Sequence, residues 1–113
     1  ECDQIYAMSI DGTNLRRIST GEGRTTCSFF TPDKRHIVYA STYLGGRACP
    51  PRPDFSRGYV WPVYSTYDIF KARADGSGLR QVTHSNDGRA HEWPTFSPDD
   101  SRVLRKAKVK AAE

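Results

Sequence analysis

"IYAMSIDGTNLRRIS" occupies Ile5–Ser19, and "IFKARADGSGLRQVT" occupies Ile69–Thr83. The two stretches follow one plan. Each opens on an apolar–aromatic pair, alternates, turns at Asp-Gly, and closes on Leu, a basic residue, a β-branched residue and a hydroxyl. Alternation with period two places successive side chains on opposite faces of a strand. Asp11-Gly12 and Asp75-Gly76 interrupt that alternation where a tight hairpin needs a residue that accepts positive φ. The spacing predicts hairpins of Gln4–Ile10 with Leu15–Thr20 and of Asp68–Arg73 with Leu79–His84.

A second phrase also recurs. "FFTPDKRHIVYAS" (Phe29–Ser41) aligns with "TFSPDDSRVLRKA" (Thr95–Ala107). Thr31-Pro32-Asp33 and Ser97-Pro98-Asp99 lie between alternating runs. Proline presets φ for a turn and aspartate caps nearby backbone amides. Strands are expected at Thr25–Phe30, Arg35–Thr42, Trp93–Ser97 and Arg102–Val109. The chain therefore reads as a succession of hairpins, an all-β repeat architecture. Its last residues, with Ala, Lys and Glu, suit an edge strand or a frayed or helical end.

Between the two phrases lies an insertion at 43–67 that carries Gly45-Gly46, Pro50, Pro51, Pro53 and Pro62. Its prolines exclude a central strand or a helix. Its aromatics argue for an ordered loop packed on the sheet assembly.

The chain has 113 residues, enough for one small domain, with two Trp, six Tyr and five Phe among a hydrophobic content of 36%. No apolar run is long enough to span a bilayer. No leader-like segment opens the chain, so export requires one already removed. Net charge is +4. The basic residues are scattered except in "RVLRKAKVK", which reads as a solvated strand, and no nucleic-acid partner is expected.

The motifs as a set resemble the TolB-type propeller repeat. The resemblance rests on the strand–DG–"LRRIS"/"LRQVT" hairpins, on F-[ST]-P-D and on "HIVYAS", and it covers all but the last few residues. The usual SPDG turn is replaced by TPDK at Thr31–Lys34 and SPDD at Ser97–Asp100. The stretch "ACPPRPDFSRGYVWPVYSTYDIF" is similar to a segment of a bacterial, exported subset of these proteins. The resemblance implies β-propeller blades of four antiparallel strands, about two blades' worth: the outer hairpin of a first blade (1–24), a complete blade carrying the insertion (25–90), and the inner hairpin of a third (91–113). Two blades cannot close a ring. The open ends are then to be completed by another copy, as a ring or head-to-tail polymer, or by the rest of a longer chain.

Three cysteines are present, Cys2, Cys27 and Cys49, without zinc spacing. On the blade assignment all three fall on one rim. A Cys27–Cys49 bridge would pin the insertion, a Cys2–Cys27 bridge would join neighbouring blades, and three reduced thiols is the remaining alternative. One bridge and a leftover thiol suit an oxidising compartment, hence an exported protein, periplasmic or extracellular.

Other constellations carry little chemistry. His91-Glu92 has no third ligand in the sequence and reads as a polar loop pair; His36 and His84 read as strand surface. Asp11–Asn14 and Asp75–Gly78 lack the acidic spacing of a calcium loop. There is no G-x-S-x-G elbow. No catalytic residue, metal or cofactor is expected. The residues with the composition of a contact surface are Tyr59, Trp61, Tyr64, Tyr67, Arg52 and Arg57 in the insertion, though they could instead cover their own blade. The open blade ends add Ile5, Tyr6, Val103 and Leu104. Carbohydrate stacking is a weaker reading of the same aromatics. The expected function is a non-enzymatic module for protein binding or self-assembly. The alternative is the propeller domain of an exported serine-peptidase-like hydrolase, gating or binding peptide.

Overall fold

A computed structural model describes residues 2–84, 89–97, 99 and 101–108. It contains eight strands: β1 (Tyr6–Ala7), β2 (Arg16–Arg17), β3 (Thr25–Phe30), β4 (His36–Ser41), β5 (Asp68–Arg73), β6 (Arg80–Gln81), β7 (Ala90–Phe96) and β8 (Val103–Lys108). They form three antiparallel sheets, β1-β2, β3-β4-β5-β6 and β7-β8. The middle sheet is a complete four-stranded blade and each flanking sheet is half of one.

The two Asp-Gly hairpins close identically. Gly12 N–H donates to the Ser9 carbonyl and Ser9 N–H to the Thr13 carbonyl, both at 2.8 Å. Gly76 N–H donates to Arg73, and Arg73 N–H to Ser77, at the same distances. The loops are thus three residues long, with glycine in the left-handed region at φ 85° and 89°. Asp11 and Asp75 each accept from the backbone N–H and the hydroxyl of the residue two positions on. Past each turn only two residue pairs form in register, Tyr6↔Arg17 with Ala7↔Arg16 and Phe70↔Gln81 with Lys71↔Arg80. The outer strands are shorter than the sequence predicts because the ladder becomes irregular at their far ends: Ile18 and Ser19 N–H both donate to the Ile5 carbonyl (2.9 and 3.4 Å), Val82 and Thr83 N–H both donate to the Ile69 carbonyl (2.7 and 3.3 Å), and side-chain hydroxyls take the facing N–H groups. The Ser19 hydroxyl takes the Ile5 N–H at 3.0 Å, and the Thr83 hydroxyl takes the Ile69 N–H at 2.8 Å.

The Thr-Pro-Asp turn is equally local. Lys34 N–H donates to the Thr31 carbonyl (2.8 Å), and Asp33 Oδ1 accepts from the Thr31 hydroxyl (2.6 Å) and Arg35 N–H (3.0 Å). Lys34, standing where the repeat usually has glycine, adopts φ 59°. Around Ser97 the hydroxyl donates to Asp99, and Arg102 N–H donates to the Ser97 hydroxyl. The expected extension of β8 to Val109 lies outside the described residues.

β4 is the centre of the molecule, buried from Ile37 to Ser41. Cross-strand partners share a face: Ile37 lies opposite Ala72, Tyr39 opposite Phe70, and Ala40 opposite Ile69. Ile37, Tyr39, Phe70 and Ala72 cluster with Ile18 of the first hairpin, and Ile5 and Ala7 pack against them. Ala40, Tyr67 and Ile69 cluster with Ala90 of the third, where Val63 and Tyr64 of the insertion also pack. A strand buried on both faces reads as a continuous apolar run rather than an alternation. Full burial of Phe70 or Ile69 contributes about 1.5–3 kcal/mol each.

Equivalent hydrogen bonds join the sheets. Thr25 N–H donates to the Asp3 carbonyl (2.9 Å) and His91 N–H to the Tyr67 carbonyl (3.0 Å). β3 and β7 each carry a bulge, between Thr26 and Phe29 and between Glu92 and Thr95. The bulged residues Cys27 and Trp93 share a left-handed backbone, φ 54° and 55°.

Candidate functional site

The insertion begins with a 3-10 turn at Tyr43–Gly45 and then runs without regular structure to β5. It is tied at several points. Gly23 N–H donates to the Arg47 carbonyl at 2.8 Å, Arg47 pairs with Glu22, and the Tyr64 hydroxyl donates to the Pro51 carbonyl at 2.8 Å.

A disulfide joins Cys2 to Cys49, and Cys27 is a free thiol. This corrects both pairings expected from the sequence, Cys27–Cys49 and Cys2–Cys27. The Thr25–Asp3 hydrogen bond carries Cys2 to the rim where the insertion returns, while Cys27 is held in the bulge of β3 beside the Thr26 hydroxyl. The bridge therefore staples the insertion to the first hairpin, across two blades. Beside it Arg24 pairs with Asp3 at 2.8 Å.

Three open cavities follow the insertion. The largest, about 570 Å³, runs from Gly45 and Gly46 past Pro50 and Pro51 to Tyr64. The second, about 290 Å³, lies between the disulfide, Arg52, Phe55 and Tyr59, and shares Cys49, Pro50 and Tyr64 with the first. The third, about 160 Å³, holds Cys27, Trp61, Glu92 and Trp93, and shares Arg24, Tyr59 and Pro62 with the second. Together they make one trough along the rim.

The predicted contact residues divide. Tyr59 is the most open at 79% exposure, Trp61 is half exposed, and Arg52 and Arg57 are exposed. Trp61 meets Trp93 edge-on with ring centroids 5.3 Å apart, and Phe55 lies 6.4 Å from Tyr59. Tyr64 is half-buried. Tyr67 is buried, which removes it from any free surface: its ring fills the seam between the second and third sheets. Burial lifts its hydroxyl well above the ordinary tyrosine value, against the pull of Arg24 and with a further push from Glu92. His91 and Glu92, read from the sequence as a loop pair, are buried residues of β7. Their burial could not be read from two polar letters before a Trp-Pro. Phe55, which is not among the contact candidates read from the sequence, is half exposed beside Tyr59, and its place among Arg52, Pro53 and Arg57 was the available signal.

At the blade ends, Ile5 packs inward on the first core cluster and is not part of an open face. Tyr6 and Met8 are 49% and 63% exposed, whereas Phe70 and Ala72, in the same places of the complete blade, are 0% and 1% exposed. Leu104 is half exposed where its counterpart Val38 is fully buried, and Val103 is half-buried.

No family model matches the chain. It is 29% identical over 101 residues to Uncharacterized protein Atu1656 of Agrobacterium fabrum, an alignment covering 88% of this chain and 27% of that protein. It also superposes with a TM-score of 0.67 on a solved structure from Agrobacterium tumefaciens described as a TolB candidate. The likeness covers 94% of this chain and 30% of that one at 25% identity. The fold is a TolB-like β-propeller. The chain spans about three-tenths of the length of the proteins it matches. Among the described residues no helix is long and apolar enough to cross a membrane.

Proposed function

We propose that this chain is a non-enzymatic propeller module that works by binding protein, with its open blade faces completed by blades of another copy or of a longer chain. The observation that carries this reading is the contrast between Tyr6 and Met8, exposed, and Phe70 and Ala72, buried at the same repeat positions. Apolar faces of this kind are stable only against a neighbouring blade. The pairing of β4 with β5 supplies a register for a second copy: Ile37 opposite Ala72 becomes Val103 of one chain opposite Met8 of the next. The disulfide and the free thiol support an oxidising compartment, periplasmic or extracellular.

Sedimentation velocity of the purified chain at micromolar concentration tests the reading. Association is expected, and Tyr6→Asp or Met8→Asp should reverse it, because each places a charge on the apolar contact face. A folded monomer, unaltered by either substitution, would overturn self-association. Oxidation of a Met8→Cys, Val103→Cys variant should link chains in the stated register.

A further inference from the structure

We propose that the rim trough is a second, distinct binding site, and that its occupant is an extended acidic peptide segment bearing an apolar side chain. The inference rests on the protein-binding reading above but uses different residues from the blade faces. Phe55, Tyr59, Val60 and Trp61 form a run of exposed apolar side chains on a loop. Tyr6, Met8 and Leu104 are exposed because each lies on a blade face with no neighbour. The four insertion residues lie on no strand, so they belong to the rim rather than to a blade face. Contiguous exposed apolar surface of this kind marks a contact site.

The charge of the occupant follows from the arginines. Arg52 lines the middle cavity and Arg57 is exposed four residues beyond Pro53. Among the described residues neither guanidinium has a carboxylate partner, in contrast to Arg24 with Asp3 and Arg47 with Glu22. The one acidic residue of the insertion, Asp54, accepts the Ser56 N–H at 2.9 Å. Guanidinium groups bind carboxylates in a matched two-point geometry, and aromatic neighbours shield such a pair from water.

The peptide character follows from the wall. Pro50, Pro51, Pro53 and Pro62 present carbonyl oxygens but no N–H to that wall, which favours a ligand with N–H donors, as a peptide main chain has. The lobes also differ in chemistry. The larger one, walled by Val63, Tyr64 and prolines, takes an apolar side chain, and the Arg52 lobe beside it takes a carboxylate. An extended chain presents such side chains a few ångströms apart.

Binding is to be read by isothermal titration calorimetry, with the fluorescence of Trp61 and Trp93 in the adjoining third lobe as a second signal, since that lobe shares Arg24, Tyr59 and Pro62 with the Arg52 lobe. The chain is to be titrated with synthetic twelve-residue peptides in which Glu alternates with Phe, Leu or Pro, and with the same peptides carrying Lys for Glu. A single-stranded oligonucleotide and an oligogalacturonate complete the probe set. The proposal expects saturable binding of a Glu peptide, weakened about tenfold by Arg52→Gln and by Tyr59→Ala, two exposed positions whose replacement leaves the fold intact. It expects Met8→Asp, which tests the blade face, to leave peptide affinity unchanged. Failure of every Glu peptide, equal binding of the Lys series, binding of only the nucleic acid or the sugar acid, or indifference to both substitutions would each overturn it. Association in the sedimentation test is read separately, so the two proposals fail independently.

Discussion

Gly76 of the second blade lies against Ile18 of the first so closely that a Cβ on Gly76 would stand 2.6 Å from the Ile18 carbonyl oxygen. Gly12 has the same turn and nearly the same φ, yet a Cβ there meets nothing within 4 Å. The two glycines separate backbone conformation from blade packing. Gly12→Ala should cost about 1 kcal/mol, the strain of a left-handed alanine. Gly76→Ala should cost at least about 1–2 kcal/mol more, because backbone atoms of two blades must move apart. Urea unfolding of both variants checks this; equal losses would mean that the blades are not in tight contact at Ile18.

Lys34 offers the opposite change. Its φ of 59° is strained for a side chain that is exposed and makes no contact the turn depends on. Lys34→Gly should stabilise the chain by about 0.5–1 kcal/mol, since glycine occupies that region without steric cost. A rise in thermal midpoint is the expected readout.

The Cys2–Cys49 bridge closes a loop of 47 residues in sequence separation. Constraint of the unfolded chain by a loop of that size is worth about 4 kcal/mol on a chain-entropy reckoning. Cys2→Ser should lower stability by an amount of that order, and Cys27→Ser by much less. Peptide mapping without reductant should recover Cys2 linked to Cys49 and Cys27 alkylated. A Cys27-containing bridge would refute the pairing.

The pH dependence has two arms. Burial, with a smaller push from Tyr43, raises the Tyr39 hydroxyl to about 12, and burial raises Tyr67 in the same direction. Above pH 10 the unfolded chain therefore releases protons that the folded chain retains, and stability falls as pH rises from about 10 toward 12. On the acid side, hydrogen bonds from Ser97 and Ser101 hold Asp99 down to about 2, and the Thr31 hydroxyl lowers Asp33. Stability should fall as pH drops from about 3.8 toward 2, as the unfolded chain takes up protons first. Thermal melts from pH 2 to 12 should show a plateau between these limits. Among the described residues the Tyr39 hydroxyl has no hydrogen-bond partner. Tyr39→Phe should therefore be neutral or slightly stabilising at pH 7 and should flatten the alkaline arm.

Much of the fold was legible because its determinants are local. Asp11-Gly12, Asp75-Gly76 and Thr31-Pro32-Asp33 fix their turns through bonds spanning a few residues, so the letters suffice. "HIVYAS" announces a strand buried on both faces because no polar residue interrupts Ile37–Ala40. The bulges were not legible. Cys27 and Trp93 share a backbone conformation but no chemistry, and neither is a residue that favours positive φ.

The insertion resisted reading for a related reason. Its prolines rule structures out without specifying any, and its path is set by contacts with Gly23, Glu22 and Cys2, which lie on another blade. Repetition alone determined that this chain is a succession of antiparallel hairpins, since each hairpin is specified by its own turn; that the hairpins build propeller blades was implied by the TolB-type resemblance of their motifs. Only the tertiary structure decided that Cys2 is the partner of Cys49, that Tyr67 is core while Tyr59 is surface, and that Arg52 faces a trough. Those outcomes depend on which segments meet across the seams between sheets, and side chains distant in sequence carry no local signal of the neighbour they will find.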